Sequence, residues 1–375
     1  MLFLLLLGIS LAWFLSLRLY ARCWHRGLSV ILSFTERFLY AGDTSTLKET
    51  VTNDKLLPLP ALEVRFAADR GLEFTGQARA NSGTSDQLYK RDVFSFLFHQ
   101  RTLRTLSFIA TKRGCYPIAN CSVVGYDFLF HSSYYREFPQ QTTLYVYPRQ
   151  IDTERIFLLY QTVSGEILAK SRLHPDPFAF SGIRDYTRSD PMHHINWKAS
   201  ARTGSLMVNQ FDSTTDIALT LLFDLEDTHI LKYEELLEET LSIVSSLAAR
   251  LISARMALNV LGNAADPVTG EAFSLSLNTG QTSTAELNQR LACVDITRTM
   301  FSGRELLEGE INHRKTGHTY ILISKNRDTG LVPALQMLAG TDSRVIWVLP
   351  LLPADLTSLT LPHDPAVAVL PWELT

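Results

Sequence analysis

Two stretches of the chain gather residues that could do chemistry. The first, Arg184 to Gly204, reads RDYTRSDPMHHINWKASARTG and packs Arg184, Arg188, Lys198 and Arg202 among Asp185, Asp190, Asn196, Tyr186 and Trp197. Mixed-sign charge around two aromatics suits an internally paired cluster, in which guanidinium–carboxylate forks make strong, directional bonds. It could also serve as a binding surface built on aromatic and arginine anchors. Carboxylates offset the basic residues, which argues against a nucleic-acid patch. The second stretch is Asp224-Leu-Glu-Asp-Thr228. Asp224, Glu226 and Thr228 at alternate positions could present oxygens to a hard cation such as magnesium. The same residues fit an acidic turn entering a helix N-terminus, where carboxylates are favoured anyway.

The usual catalytic motifs are missing. There is no G-x-S-x-G elbow, no phosphate-binding loop and no H-E-x-x-H. Lys315-Thr316 imitates the end of a phosphate-binding loop, but Arg314 stands where glycine is required. His193 and His194 are adjacent, and neighbouring side chains diverge by about 100° on a helix or point to opposite faces of a strand, which makes a poor bidentate metal site. No nucleophile–base pair supports an enzyme. Four cysteines, Cys23, Cys115, Cys121 and Cys293, are too scattered for a disulfide framework or a zinc site.

These residues need elements to position them. The 375 residues are 46% hydrophobic and only 19% charged, which excludes wholesale disorder and allows two or three domains. A net charge of −3 argues against a strongly basic nucleic-acid binder. Residues 28–150 carry period-two patterning, as in Leu62, Val64 and Phe66, in Leu106, Phe108 and Ala110, and in Leu144 and Val146. That predicts an antiparallel β-sandwich, with 69–92 a loop or ragged edge. Residues 151–180 form a linker region, broken by Pro175 and Pro177. From 181 to 375 the period changes. Ile217–Phe223 is an almost continuous apolar run, as a strand buried on both faces requires. Leu237, Leu241, Val244, Ala248 and Leu251 then make one stripe of a helix over roughly 233–255. Further strands at 257–260, 320–323 and 345–349, with helices near 284–293, 303–314 and 331–339, predict a doubly wound parallel sheet.

The first seventeen residues, MLFLLLLGISLAWFLSL, contain no charge. As a helix they span about 26 Å against a bilayer core of about 30 Å, and Leu19 and Tyr20 extend them. No basic region precedes the run and no small-x-small site follows, so a cleaved signal fits poorly. Residues 1–20 are expected to be a single-pass anchor in the cell membrane. Arg18, Arg22 and Arg26 share a helical face behind it, which predicts cytoplasmic soluble domains and suits anionic headgroups.

The run from Arg184 to Thr203 resembles the signature of the domain of unknown function 58 family, roughly R-x-Y…G-D…I-[DN]-W-K-x-[ST]-A-R. Arg184, Tyr186, Asp190, Ile195, Asn196, Trp197, Lys198, Ser200, Ala201 and Arg202 fall on that pattern, with Ser189 where the family usually has glycine. Phe38–Asp43, Leu57–Glu63, Lys112–Tyr116 and Tyr145–Arg149 are similar to the family's β-domain, so the resemblance covers most of the chain. It implies a membrane-anchored bacterial or archaeal protein with a β-sandwich and a von Willebrand factor type A-like domain. It also implies a partner, a MoxR-type AAA+ ATPase, and sometimes a transglutaminase-like membrane protein. No reaction is established for the family. Its members usually begin with two apolar helices, and the one seen here leaves open a truncated start or a true single span.

A type A-like domain would carry a metal site of the form D-x-S-x-S with a distant Thr and Asp. Here Glu226 and Thr228 hold the serine positions, and Ser324-Lys325 stands where the distant Asp is expected. Only Asp224 and Thr228 match, so the resemblance implies a degenerate magnesium site. The expectation is a non-enzymatic scaffold or assembly factor whose binding cluster is Arg184, Tyr186, Asp190, Asn196, Trp197, Lys198, Ser200 and Arg202. A metal-dependent adhesion module, or an uncharacterised enzyme of the cell envelope, is the alternative.

Overall fold

The computed structural model describes residues 2–75, 82–83, 87–128, 130–151, 154–173, 180–187, 190–211, 219–227, 233–277, 281–313, 318–328, 330–340, 343–358 and 367–374. They form a mixed α/β protein of two units, Met1–Arg149 with Leu291–Cys293, and Gln150–Arg290 with Val294–Thr375.

The first unit begins with helix α1 (Leu2–Cys23). Ten strands follow: β1 (Leu28–Phe34), β2 (Phe38–Tyr40), β3 (Thr44–Asn53), β4 (Leu59–Asp69), β5 (Leu72–Phe74), β6 (Ser82–Gly83), β7 (Gln87–Phe96), β8 (Gln100–Ala110), β9 (Gly114–Tyr126) and β10 (Ser133–Tyr147). They make two sheets, in the orders β1-β3-β8-β5 and β2-β10-β9-β4-β7-β6. The alternating positions read from the sequence supply one shared core. Leu106 and Phe108 come from the first sheet, and Leu62, Val64, Phe66, Leu144 and Val146 from the second. This is a sandwich, with alternate residues such as Arg65 and Ser107 exposed on the outer faces.

The segment expected to be a loop over 69–92 contains β5 and most of β7. The apolar alternation is hidden there because Lys90 and Asp92 occupy inward positions of β7. They meet Glu49 of β3 and Arg104 of β8, whose guanidinium lies 2.9 Å from the Asp92 carboxylate. Burial, and then the neighbouring Asp92 carboxylate, push the Glu49 carboxyl up to about 8.

The end of α1 is fastened to the sandwich. The Tyr20 hydroxyl donates to the Tyr126 carbonyl at 2.9 Å, and Trp24 stacks on Tyr134 with centroids 6.0 Å apart. Gly125 makes room for that indole, since a β-carbon there would lie 2.6 Å from Trp24 Cε3. Among the described residues no helix is long and apolar enough to cross a membrane. The side chains of 1–6, 9, 10 and 12 lie outside the description.

The second unit opens with α2 (Glu154–Leu173), inside the stretch expected to be a linker. Ile156, Leu159 and Val163 are buried in its first three turns, a sparse helical spacing that the prolines downstream obscure. Residues 174–179, where those prolines lie, are outside the described residues. A two-stranded ribbon follows, β11 (Phe180–Asp185) with β12 (Met207–Phe211), enclosing a 3-10 turn (Met192–His194) and the short helix α3 (Trp197–Thr203).

The large sheet contains β13 (Leu219–Asp224), β14 (Leu258–Ala265), β15 (Ala272–Leu277), β16 (Thr319–Ser324), β17 (Arg344–Leu351) and β18 (Val367–Glu373), in the order β15-β14-β13-β16-β17-β18. All its pairings are parallel except β14 with β15. Four helices connect its strands: α4 (Glu234–Ser253), α5 (Gln281–Ala292), α6 (Gly303–Asn312) and α7 (Leu331–Ala339). Helices α6 and α7 pack with Leu222, Tyr320, Leu322 and Trp347. No residue of α4 joins that cluster, although its stripe Leu237, Leu241, Val244, Ala248 and Leu251 is buried. Helices therefore cover both faces, which is why β13 and β16 are buried at every position. The strand order reverses at β13, and the loop after that strand lies at the place where such sheets put ligands.

Candidate functional site

The Arg184–Gly204 stretch is a built structure and not a loop. Arg184 ends near the close of β11 and grips Asp190 in a two-pronged ion pair, Nη1 to Oδ2 at 2.7 Å and Nη2 to Oδ1 at 2.6 Å. Thr187 adds its backbone N–H at 2.8 Å and its hydroxyl at 2.7 Å to the same Oδ2. The Arg184 fork, followed by these Thr187 donors, holds Asp190 far below the usual carboxylate range.

Asn196 caps the seven-residue α3. Its Oδ1 accepts from the Ala199 N–H at 2.9 Å, while its Nδ2 donates to Asn209 Oδ1 at 2.7 Å. The Ser200 hydroxyl donates to the Asn196 carbonyl at 2.8 Å and accepts from the Met207 N–H at 2.9 Å. The helix closes at Gly204, whose φ of 74° is the left-handed conformation that favours glycine. Tyr186 donates its N–H to the Leu206 carbonyl at 2.9 Å, joining the ribbon above the helix.

The cluster thus divides in two. Arg184, Asp190, Asn196 and Ser200 spend their polar atoms inside the motif. Trp197, Lys198 and Arg202 face outward on α3, with Trp197 66% exposed. Lys198 and Arg202, four residues apart, share a helical face. His193 and His194 pack ring to ring at 4.3 Å. Arg188 is outside the described residues.

The second stretch is also brought to a purposeful place. Asp224 ends β13 at the switch point and is fully buried. Its Oδ1 accepts from the Glu226 N–H at 2.8 Å and from Asn263 Nδ2 at 2.6 Å, and its Oδ2 accepts from the Ser324 hydroxyl at 2.7 Å. Burial raises its proton affinity above that of an ordinary aspartate, against those three donors. Glu226 turns to α6, where its Oε2 accepts from the Gly303 N–H at 2.8 Å. Beside it Lys325 pairs with Asp227 at 2.9 Å, both side chains buried.

These residues do not fit magnesium. The Asp224 oxygens that a cation would use are already taken by N–H and O–H donors aimed at them. Lys325, next to Ser324 in the chain, already neutralises the nearby Asp227, which removes a carboxylate that could help hold a divalent ion. Among the described residues no group of three His, Cys, Asp or Glu could hold a metal. Thr228, the other expected ligand, lies outside the described residues.

Asn263, Ser302, Gly303 and Asn326 also belong to this cluster, and nothing in their sequence neighbourhoods marks them as partners of Asp224 or Glu226. Each is far from Asp224 along the chain, and only the fold brings them together. One signal was legible: Ser302-Gly-Arg-Glu305 is a capping box, and both of its reciprocal bonds form, at 3.2 Å and 3.1 Å. Next to the cluster, a cleft of about 280 Å³ is lined by Glu226, Tyr233, Lys325, Asn326, Arg327 and Asp355. Arg327 lies 2.8 Å from Asp355, Lys325 is paired with Asp227, and Glu226 accepts from the Gly303 N–H. Among the described residues it presents no nucleophile beside a base.

No family model matches the chain, and no curated protein matches it. Among solved structures, the chain is similar to a non-cellulosomal cohesin from Archaeoglobus fulgidus, at 9% identity and a TM-score of 0.22, over 35% of this chain and 97% of that one. A CARDB domain from Pyrococcus furiosus aligns at 13% identity and a TM-score of 0.19, over 31% and 90%. A type II cohesin dyad from Acetivibrio cellulolyticus aligns at 7% identity and a TM-score of 0.22, over 33% and 49%. Likenesses of this size assign neither an activity nor a partner to the chain.

Proposed function

We propose that this protein is a non-enzymatic, membrane-tethered scaffold of the domain of unknown function 58 type, whose second unit is a von Willebrand factor type A-like domain that docks a MoxR-type AAA+ ATPase. The observation that carries the docking role is the posture of Trp197. A large indole two-thirds exposed stands on a helix pinned at its start by Asn196, at its middle by Ser200 and at its end by Gly204. A rigid aromatic flanked by Lys198 and Arg202 is the composition of an interface anchor. The doubly wound sheet supports the type A-like reading, and the signature residues support the family. The tether is supported by the charge-free run and by Leu7, Leu11, Phe14, Leu15 and Leu19, all exposed on α1.

The test is co-purification of the tagged full chain, with and without Trp197→Ala and Arg202→Ala. Docking through α3 predicts that both variants keep the wild-type melting temperature and lose the ATPase. Full retention of every partner by two well-folded variants would overturn it.

A further inference from the structure

The two ends of the sandwich differ in kind. Register fixes which turns share an end: Leu28 pairs with Asn53, Asn53 with Gln100, Leu59 with Phe96, and Ala61 with Tyr126. The turns β3–β4, β7–β8 and β9–β10 therefore lie at the end that α1 enters. Their tips carry Leu56, Leu97, Phe98, Phe128 and Phe130, exposed by 77%, 64%, 59%, 56% and 62%. At the far end the turns expose Glu36, Arg37, Asp43, Arg70 and Lys112 instead. Near that end Phe38, on β2, is stacked on Tyr147 with centroids 5.4 Å apart.

The apolar tips are held in place. Phe130 has a φ of 54°, a left-handed conformation that costs a bulky residue energy and persists only when its surroundings enforce it. Here the enforcing group is buried Asp127, whose carboxylate accepts from the N–H groups of His131 at 2.8 Å and Ser132 at 3.1 Å. In the neighbouring turns, Asn53 Nδ2 holds the Leu97 carbonyl at 2.8 Å, and His99 Nδ1 sits 3.0 Å from Asp54. The tips are also continuous with the anchor. The Phe128 ring meets the Tyr20 ring edge-on at 5.8 Å, and Tyr20 closes the apolar run of α1.

The structure assigns this end of the sandwich as a second membrane contact: an apolar crown around the base of α1 that inserts into the headgroup–acyl boundary of an anionic bilayer. This rests on the tethered reading above and adds to it a surface and an orientation. Scattered exposed apolar residues need no explanation, but five on three turns at one end, against charged tips in the described turns at the other, do. Protruding tips suit a deformable lipid surface better than a flat protein interface. The exposed guanidiniums of Arg22 and Arg26 beside them complement anionic headgroups.

The test is depth measurement on the full chain reconstituted in phosphatidylcholine–phosphatidylglycerol vesicles. Nitroxides are attached at Leu97→Cys, Phe130→Cys, Leu11→Cys and Asp43→Cys, one at a time, with the native cysteines changed to alanine. Collisions with oxygen, enriched in the bilayer, are compared with collisions with a water-soluble nickel chelate. The expected result is a shift toward oxygen at 97 and 130 as well as at 11, with 43 open to nickel. If 11 is shielded from nickel while 97 and 130 are as open to it as 43, the crown is refuted and the tether stands. If 97 and 130 are shielded from both reagents, a protein covers the crown and the lipid assignment is wrong. If 11 is itself open to nickel, the tether fails and the crown with it.

Discussion

Gly303 and Asp224 occupy the same space: a β-carbon on Gly303 would lie 2.4 Å from Asp224 Oδ2. Glycine is therefore required at the first turn of α6 by a carboxylate at the end of β13, five elements earlier in the chain. The aspartate has nowhere to retreat, because Glu226, Asn263 and Ser324 fix both of its oxygens. Gly303→Ala should destabilise the second unit by roughly 1–3 kcal/mol through overpacking. Chemical denaturation would measure it, and an unchanged midpoint would show that α6 can slide.

The hydrogen-bonded lock around Asp224 predicts indifference to divalent ions. Millimolar magnesium or manganese, or their chelation, should leave the melting temperature unmoved, since only a ligand that binds the folded state raises it. Asp224→Ala, by contrast, leaves three donors without their acceptor, each costing about 1–3 kcal/mol when buried. Asp224→Asn should cost less, because the Ser324 hydroxyl can turn to accept from the new amide.

Within the sandwich, Glu49 supplies a pH dependence. Its carboxyl, raised from 4.5 to about 8 by burial and by Asp92, binds its proton more tightly in the folded chain than in the unfolded one. Its contribution is full below pH 4.5 and is lost as pH rises through about 8. Melting of the sandwich should fall by several degrees between pH 5 and pH 9. Glu49→Gln, which has no proton to lose, should flatten that slope. Parallel slopes for the two proteins would refute the assignment.

Arg184 and Trp197 should fail in different ways. Arg184→Ala or Asp190→Ala removes the fork that closes the 184–190 turn, so amides of β11 and β12 should exchange faster with solvent. Trp197→Ala should leave exchange alone and move stability by less than about 0.5 kcal/mol, as an exposed position does. If Trp197→Ala loosened the ribbon as much as Asp190→Ala, the division between brace and anchor would be wrong.

Much of the scaffold was legible where burial and periodicity agree. Leu62, Val64 and Phe66 alternate in sequence and are buried in fact, and the stripe from Leu237 to Leu251 is the inner face of α4. Legibility failed where charge points inward: β7 turns Lys90 and Asp92 toward Glu49 and Arg104, and so reads as a polar loop. It failed again at α2, where Phe157 and Leu158 are apolar but exposed between the buried Ile156, Leu159 and Val163, so that the inner stripe is blurred ahead of two prolines. For the candidate site, the identity of the cluster was readable, but the split between Arg184 or Ser200 turned inward and Trp197 turned outward needed the ribbon. Asn263 and Ser324 were invisible as partners of Asp224, because only a parallel crossover brings residues 39 and 100 positions away to one carboxylate.

The pairing of β2 with β10 sets an order on biosynthesis. Leu39 meets Val146 in register, so the second sheet stays open until the chain has been made almost to residue 150. Helix α1 leaves the ribosome more than a hundred residues earlier. A nascent chain would thus offer the apolar α1 to whatever receives it while the second sheet still lacks β10 and leaves the edges of β2 and β9 open. Such open strand edges are prone to misassociation. Early capture of α1 would hold them apart from other chains until β10 arrives to close the sheet.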